Sequence, residues 1–344
     1  MKILVIQIKQ LGDVLTSTVI FEALKNKFPS CEIHYLIAPK SIAIVENNPF
    51  IDKLLFYEDQ KTVAPFFRSV TSIRKEKYDV IIDAYCKTNT SLLCWLSGTK
   101  KTITFDKTLS RLLCSDVIER NKESFSKATK AIEHRLLLLE PIGIPFEERK
   151  PKLYVSEVEK QQALTTLNSI GIQNEDKIIM ISALGSGNSK NYPLAFMANV
   201  LDTICENTEA TLLFNYIPNQ KEDVQKLYNL CKPETKAQIK IDFYAKNLRD
   251  FFAIVTYCKA VIGNEGGAIN MAKALEIPTF AIFSPEILKN DWNIFENENS
   301  SISVHVDDYD VAQTNKEATV YEKYATFEPS LFQDKLVHFI NSNL

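Results

Sequence analysis

The sequence predicts an α/β protein made of two Rossmann-like domains, each with a parallel sheet covered by helices. Short apolar runs rich in β-branched residues recur along the chain, and helix-like segments separate most of them. These runs are almost wholly apolar and do not alternate with polar residues, which is typical of strands buried on both faces. The predicted strands cover residues 2–8, 32–37, 80–83, 102–105, 178–183, 210–214, 239–242, 260–262 and 279–283.

Chain length and one polar segment predict where the domains divide. A chain of 344 residues is long for one hydrophobic core and suits two. Residues 145–156 are polar and charged and contain two prolines, which favours a linker. We therefore expect domains over residues 1–150 and 151–325. The remaining residues, 326–344, have the apolar spacing of an amphipathic helix.

The first predicted strand runs into a turn that suits a binding site. Gly12 supplies the turn, Asp13 stands where a helix is expected to begin, and residues 14–28 have helical spacing until Pro29. Ligands of open α/β sheets bind at the carboxyl ends of the strands, so Asp13 is a candidate general base. Aspartate is also a good helix N-cap, and the local sequence leaves both roles open.

A second strand–turn–helix segment lies at residues 260–278. The apolar run 260–262 meets Gly266 and Gly267, and helix-favouring residues follow until Pro278. This order directs free backbone N–H groups and the positive end of a helix at one point, where a phosphate or pyrophosphate can bind. Glycine lets the backbone approach such a ligand closely.

Composition and charge favour an ordinary globular protein. Hydrophobic residues make up 45% of the chain and charged ones 24%, as in ordinary globular proteins, and the net charge of −3 gives no argument for nucleic acid. The seven cysteines are scattered without a CxxC pair, which favours free thiols in a reducing compartment. The apolar start is too short for a secretory signal and no run is long enough to span a membrane, so we expect a cytoplasmic protein.

The motifs argue against a nicotinamide-cofactor site and against a metal site. A nicotinamide-dependent dehydrogenase would need a GxGxxG turn after a strand, but Gly12 is isolated and the pair Gly185 and Gly187 lacks a third glycine. Asp307 and Asp308 form an acidic pair in a polar stretch that does not suit a metal site. We therefore expect neither a cofactor nor a metal ion.

Three segments together resemble glycosyltransferase family 9, the heptosyltransferase-like enzymes of bacterial lipopolysaccharide assembly. Leu11-Gly12-Asp13-Val14-Leu15 is similar to the family's first βα turn, and residues 264–275 are similar to its donor-site signature. Residues 189–193 are similar to its Lys-x-Trp-Pro element. The resemblance spans about residues 1–290 in the right order and is specific for the family, although not for one sugar.

The resemblance implies a GT-B fold with an interdomain cleft and a C-terminal helix, over residues 326–344, that packs back towards the N-terminal domain. It implies an inverting transfer of a sugar, by default heptose from ADP-heptose, to a lipopolysaccharide core or another surface glycan. The acceptor would bind the N-terminal domain and the nucleotide sugar the C-terminal domain. Peripheral association with the cytoplasmic face of the inner membrane stays open.

Sugar transfer requires a base for the acceptor hydroxyl and positive groups around the leaving nucleoside diphosphate. We assign the base to Asp13. The expected donor-binding residues are Ser189, Lys190, Glu265, Gly266, Gly267 and Asn270. Lys190 and the helix start would stabilise the pyrophosphate in place of a metal ion.

Basic clusters supply candidates for binding an anionic acceptor or a membrane surface. We select Arg68, Lys100, Lys101 and Arg111. The alternative is that these side chains form a solvated helix face.

The donor signature departs from the family pattern. The family usually has aspartate at position 265 and histidine at position 270, where this chain has Glu265 and Asn270. A usual Gly-Gly pair is replaced by Asn215 and Tyr216. Two alternatives therefore stay open: a transferase that uses another nucleotide sugar, and a nucleotide-sugar-binding protein without turnover.

Overall fold

The chain forms two α/β units, Met1–Tyr154 and Val155–Leu344. The computed structural model describes residues 1–57, 64–185, 187–311 and 318–344. The division between the units falls inside the segment 145–156, for which the sequence predicts a linker. Each unit has one parallel sheet, as the continuous apolar runs predict.

The first unit has a six-stranded parallel sheet in its described part. Its strands are β1 (Lys2–Ile6), β2 (Glu32–Ile37), β3 (Lys53–Phe56), β4 (Val80–Asp83), β5 (Lys101–Phe105) and β6 (Asp116–Ile118). Their order is β3-β2-β1-β4-β5-β6, with Ile3 opposite Ile33 of β2 and Val80 of β4. The order reverses between β1 and β4, where ligands bind outside the carboxyl ends of such sheets.

Helices connect these strands. They are α1 (Leu11–Ser17), α2 (Val19–Lys27), α3 (Ile42–Val45), α4 (Ala64–Glu76), α5 (Thr88–Ser97), α6 (Ser110–Leu113) and α7 (Thr129–Leu137). The sequence predicts one helix over 14–28, but Thr18 separates α1 from α2. Its hydroxyl donates to the Leu15 carbonyl oxygen at 2.7 Å, a side-chain bond of the kind that bends or interrupts helices.

The second unit has a five-stranded parallel sheet in its described part. Its strands are β7 (Ile178–Ser182), β8 (Thr211–Phe214), β9 (Ala260–Asn264), β10 (Thr279–Ile282) and β11 (Ser301–Val304). The order is β11-β10-β9-β7-β8, so it reverses between β7 and β9. Ile181 of β7 lies opposite Ile262 of β9.

Helices again cover the second sheet. They are α8 (Glu157–Ser169), α9 (Leu194–Asn207), α10 (Lys221–Leu230), α11 (Pro233–Gln238), α12 (Leu248–Val255), α13 (Gly267–Ala274), α14 (Lys289–Trp292), α15 (Val320–Thr326) and α16 (Gln333–Asn343).

The predicted strand over residues 239–242 is wrong. Ile239 alone makes an isolated parallel bridge, to Leu212 of β8, and the chain then turns. Lys240 and Asp242 follow Ile239 and do not favour a buried strand. The sequence reasoning also missed β3, β6 and β11, which are short strands at or near sheet edges, where an apolar run is not required.

The C-terminal helix α16 contributes to the core of the second unit. Leu336, Phe339 and Ile340 of α16 are buried in the core of the second unit, against side chains of α9 and β10 such as Phe280. Aromatic side chains of β10 and of the segment around Phe332 complete the same core. The expected packing of residues 326–344 back towards the first domain stays a prediction.

The close approach of β9 to β7 depends on Gly263, which has a φ of 134°. A Cβ there would lie 2.4 Å from the Ser182 carbonyl oxygen. We predict that Gly263→Ala destabilises the second unit by roughly 2–5 kcal/mol through backbone strain and overpacking, measured by thermal or urea unfolding. Gly171→Ala is the control, because Gly171 has a φ of 82° but open space around it; it should cost about 1–2 kcal/mol. Equal losses would contradict the steric argument.

Candidate functional site

The segments with the predicted donor-binding residues meet at the carboxyl edge of the second sheet, where its strand order reverses. β7 ends at Ser182, and the neighbouring β9 ends at Asn264. The chain leaves both strands at this edge and continues into Lys190 on one side and Gly266 on the other. Gly266 has a φ of 155° and precedes α13, and a Cβ added to it would meet no atom within 4 Å. Open space therefore lies beside the start of α13.

Asn264 holds this edge together through its buried side-chain amide. Its Nδ2 donates to the carbonyl oxygens of Ser182 at 3.1 Å and Ala183 at 2.8 Å. Its Oδ1 accepts the backbone N–H of Tyr192 at 2.7 Å. One amide thereby joins the end of β9, the end of β7 and the turn that carries Lys190.

Further bonds fix this turn. The Asn191 Oδ1 accepts the Gly185 N–H at 2.7 Å, and the Ser284 hydroxyl donates to the Ser189 carbonyl oxygen at 3.0 Å. A Cβ on Gly185 would lie 2.3 Å from the Lys190 carbonyl oxygen, so this contact requires glycine. Ser189 and Lys190 are therefore held at the edge by bonds to two strand ends.

Lys190 and Glu265 are the charged candidates of this site. Within the part of the chain that the structure describes, neither side chain has a hydrogen bond or ion pair to another residue. Burial raises the pKa of the Glu265 carboxyl, and the nearby ammonium groups of Lys190 and Lys273 oppose this rise. A half-buried cation and a mostly buried carboxylate thus stand close together with their hydrogen-bonding groups available to a ligand.

Lys273 supplies a second positive charge from α13. Its ammonium donates to Asn293 Oδ1 at 3.0 Å and to the Ile294 carbonyl oxygen at 2.9 Å. Burial lowers the pKa of Lys273 to about 8, while Glu296 and Glu265 counteract the effect. Lys273 therefore binds α13 to the segment after α14 and acts on Glu265 through space.

The amino end of α13 faces the same space. The first helical bond of this turn runs from the Asn270 N–H to the Gly266 carbonyl oxygen at 3.2 Å. The N–H groups of Gly267, Ala268 and Ile269 precede it and donate to no other residue among those described. Free N–H groups at a helix start suit a phosphate. Asn270 is half-buried in the first turn of α13.

Asp13 lies at the carboxyl edge of the first sheet and pairs with Arg135 of α7. The Arg135 Nη2 donates to Asp13 Oδ1 at 2.8 Å, and about a tenth of each side chain is exposed. The Lys9 ammonium lies 3.5 Å from Oδ2 and is half exposed. The carboxylate therefore has one oxygen bound inside the unit and the other near the surface.

The N-cap alternative for Asp13 is wrong. α1 begins at Leu11, its cap residue is Gln10, and no side-chain cap bond is made. Asp13 is the third helical residue, and its carboxylate bonds Arg135. Asp83, at the end of β4, is the carboxylate with a local backbone role, because its Oδ1 accepts the N–H groups of Tyr85 and Cys86. Burial raises the pKa of Asp83 to about 6.

Two of the acceptor candidates lie at the opposite edge of the first sheet. Lys101 begins β5 and Lys100 precedes it, so both stand at the amino edge, away from Asp13. The Lys101 ammonium bonds Asp116 Oδ1 at 2.8 Å. The structure therefore does not bring these lysines to the edge where Asp13 lies.

The two arginine candidates stand nearer the carboxyl edge. Arg111 follows β5 on α6 and forms a two-pronged ion pair with Asp106. Arg68 is exposed on α4 and has no ion pair within the described residues. It lines a cavity of about 350 Å³ with Leu36 and Phe56, from the carboxyl halves of β2 and β3. Arg68 is thus the acceptor candidate that is placed and free to bind an anion.

Comparison with known proteins decides the family. A model of glycosyltransferase family 9 (heptosyltransferase) matches residues 66–325, well over half of the chain. The chain belongs to glycosyltransferase family 9. It is therefore a heptosyltransferase-like glycosyltransferase, which confirms the predicted family. The matched residues include 189–193 and the donor signature 264–275, and they begin after the first βα turn.

Relatives and solved structures agree with the family. Lipopolysaccharide heptosyltransferase 1 of Campylobacter coli is 24% identical over 298 residues, covering 82% of this chain and 84% of that protein. The family 9 glycosyltransferase of Veillonella parvula has a TM-score of 0.78 at 20% identity, covering 98% of this chain and 97% of its own.

The Escherichia coli heptosyltransferase WaaC with ADP-2-deoxy-2-fluoro heptose has a TM-score of 0.69 at 14% identity, over 100% of both chains. At such identities the structural likeness shows the fold, which is the GT-B type with two parallel-sheet domains. The interdomain cleft stays a prediction.

Sequence reasoning missed two residues of these sites in this family 9 enzyme. Arg135 gave no local signal for its contact with Asp13, because the two are 122 positions apart. Lys273 could have been found, since it is the only charged residue in the otherwise uncharged helix Gly267–Ala274. Asn264 was quoted within the donor signature, but the sequence does not show that its amide joins two strands and a turn.

Two findings on membranes and metals hold for residues 1–57, 64–185, 187–311 and 318–344. No helix there has the length and apolar character needed to cross a bilayer. No group of three or more His, Cys, Asp or Glu side chains there could hold a metal ion. Metal-independent transfer stays a prediction that needs its own test.

Lys273 should make stability depend on pH. Its pKa is about 8 in the folded state and about 10.4 in an unfolded chain. Between these values the unfolded state binds one more proton, so the free energy of unfolding should rise with pH, by at most about 1.4 kcal/mol per unit. Melting temperatures at pH 7.5 and 9.5 test this.

Lys273→Met should remove this rise, whereas Lys259→Met, at an exposed position before β9, should retain it. The same pH dependence in the wild type and in Lys273→Met would contradict the assignment.

Proposed function

We propose that this chain is an inverting glycosyltransferase that transfers a sugar from a nucleotide sugar, ADP-heptose or a related donor, to an anionic glycolipid or glycan such as a lipopolysaccharide core. One observation carries the proposal. Within the described residues, the side chains of Lys190 and Glu265 make no hydrogen bond or ion pair to other residues, and they lie at the reversal point of the second sheet beside the free N–H groups of α13. A nucleoside diphosphate sugar matches this pattern of cation, N–H donors and carboxylate.

The second unit would hold the donor. The leaving diphosphate gains negative charge during transfer, so preorganised positive groups stabilise it. Lys190 and the amino end of α13 would bind the phosphates, with Ser189 beside them. Glu265 would accept hydrogen bonds from hydroxyls of the sugar or the ribose, because a carboxylate close to a diphosphate is otherwise repelled.

The first unit would supply the base and the acceptor site. Asp13 would take the proton from the acceptor hydroxyl as the hydroxyl attacks the anomeric carbon. Arg68 would bind an anionic group of the acceptor at the cavity that it lines together with Leu36 and Phe56. The names of two relatives support the donor and acceptor class, since one is a lipopolysaccharide heptosyltransferase and another was solved with an ADP-heptose analogue.

Donor binding should depend on Lys190. We expect Lys190→Met to weaken the binding of ADP-heptose, or of the best nucleotide sugar in a thermal-shift screen, by about 1.5–3 kcal/mol, or roughly 10- to 150-fold, the value of a hydrogen bond to a charged group. Isothermal titration calorimetry measures this.

Lys259→Met, at the amino edge of the same sheet, should bind the donor as the wild type does. Equal affinity of the wild type and Lys190→Met would contradict the phosphate role. Activity lost in EDTA and restored by Mg²⁺ or Mn²⁺ would show that a metal stabilises the leaving group.

The altered signature should affect which donor is preferred. Glu265 carries its carboxylate about 1.5 Å farther from the backbone than aspartate would, and Asn270 lacks the charge options of histidine. Misplaced polar groups in a closed site cost about 1–3 kcal/mol each. We therefore expect the wild type to prefer another nucleotide sugar to ADP-heptose, or to bind ADP-heptose weakly.

The double change Glu265→Asp with Asn270→His should shift preference towards ADP-heptose. Calorimetry of the wild type, both single variants and the double variant, with ADP-heptose and the best alternative donor, measures this shift. Micromolar binding of ADP-heptose by the wild type, unimproved in the double variant, would show that the two residues carry no information about the donor.

A further inference from the structure

We propose that Arg135 is the positioning residue for Asp13, fixing the carboxylate so that its Oδ2 faces the acceptor hydroxyl. This inference rests on the proposed role of Asp13 as the base. It assigns a function to an ion pair that joins α1 to α7, and it names the oxygen atom that takes the proton.

The two oxygens of Asp13 have different surroundings. Oδ1 accepts the Arg135 Nη2 at 2.8 Å, and Arg135 is buried. Oδ2 has the Lys9 ammonium at 3.5 Å, with about half of the lysine side chain exposed. The inner oxygen is therefore held by a hydrogen bond, and the outer oxygen is the one that a substrate can reach.

The hydrogen bonds of the Arg135 guanidinium support this role. Within the described parts of the chain, its one hydrogen bond is to Asp13, and its buried Nε has no partner. Burial lowers the pKa of Arg135, and the negative charge of Asp13 opposes this shift. A guanidinium that served packing alone would be expected to bond backbone carbonyls as well.

α7 is a firm support for Arg135. The neighbouring Glu133 is fully buried, and its Oε1 accepts the backbone N–H groups of Phe125 and Ser126 and the hydroxyl of Ser124. α7 also packs on α1, the helix that carries Asp13. The orientation of Asp13 is thus set by a rigid element and not by its own rotamer freedom.

Loss of this positioning should lower the rate of sugar transfer. Proton transfer needs the base within hydrogen-bond reach of the hydroxyl, and a displacement of about 1 Å can cost about 10²-fold in rate. We expect Arg135→Met to lower kcat by roughly 10²-fold, with the donor Kd within about twofold of the wild type. Arg135→Lys keeps a charge but not the planar fork, so it should restore part of kcat.

The experiment is a double-mutant cycle on transfer to a heptose-deficient lipid A–core glycolipid from ADP-heptose and from ADP-, GDP-, UDP- and dTDP-hexoses. Asp13→Asn should lower kcat by roughly 10²–10⁴. The double variant Asp13→Asn with Arg135→Met should be no slower than Asp13→Asn, because Arg135 acts through Asp13. Guanidinium ion at non-denaturing concentration should partly rescue Arg135→Ala and not Asp13→Asn.

The control for a merely structural role is Arg249→Met. Arg249 forms a two-pronged ion pair with Glu159 in the second unit, and both side chains are mostly buried. This variant should lower the melting temperature and leave kcat per folded molecule unchanged. If Arg135→Met does not fold, Arg135→Lys and the double variant carry the test, since neither leaves a charge without its partner.

The outcomes separate the two proposals. Wild-type kcat in Arg135→Met, or a further rate loss when Arg135→Met is added to Asp13→Asn, overturns the positioning role and leaves the base role intact. Wild-type kcat in Asp13→Asn overturns the base role, and the positioning role with it. No transfer by the wild type from any donor of the panel overturns the proposed function and this inference together.

Discussion

Parallel pairing of the strands is the constraint on which both units depend. Because every strand in the described sheets runs the same way, all carboxyl ends meet at one edge, and the connecting turns carry polar groups there that the core cannot hold. In the second unit this edge collects Lys190, Glu265 and the start of α13. In the first it collects Asp13. The reversal of strand order opens each edge next to its innermost strands, β7 and β9 or β1 and β4.

The carboxyl edge of the second sheet combines a hydrogen-bonded backbone with charged side chains that can bind a ligand. The Asn264 amide satisfies two carbonyl oxygens and one N–H and thereby fixes the turn before Tyr192. Buried polar groups are usually paired in this way, because an unpaired one costs about 1–3 kcal/mol. The Glu265 carboxylate and the Lys190 ammonium differ from this pattern, because neither has a hydrogen-bond partner among the residues that the structure describes. A bound ligand would satisfy both.

The ion pair between Asp13 and Arg135 shows a different use of buried charge. Removing two charges from water is costly, so a buried pair is a weak source of stability compared with apolar packing. Its geometry, however, is specific, because the guanidinium has a fixed fork and the carboxylate a fixed plane. A pair of this kind is better suited to orienting a reactive group than to holding two helices together, and the packing of α7 on α1 and α2 supplies that cohesion.

The sequence by itself determined the parallel α/β class, the strand–turn–helix segments and the family, because these features are encoded in local periodicity and short motifs. Lys2–Ile6 and Ala260–Asn264 are strands where apolar runs predict them. The tertiary structure decided which distant residues meet. The Asp13 carboxylate accepts a hydrogen bond from Arg135, which lies 122 positions away in the chain, and the Asn264 side chain accepts one from the backbone of Tyr192, 72 positions away.

The tertiary structure also placed Lys100 and Lys101 at the amino edge of their sheet, and it left residues 239–242 as a single bridge. Local patterns could not show this, because strand order and edge position depend on pairing between segments far apart in the chain. The spacing of apolar residues within one segment does not show which strand it will pair with.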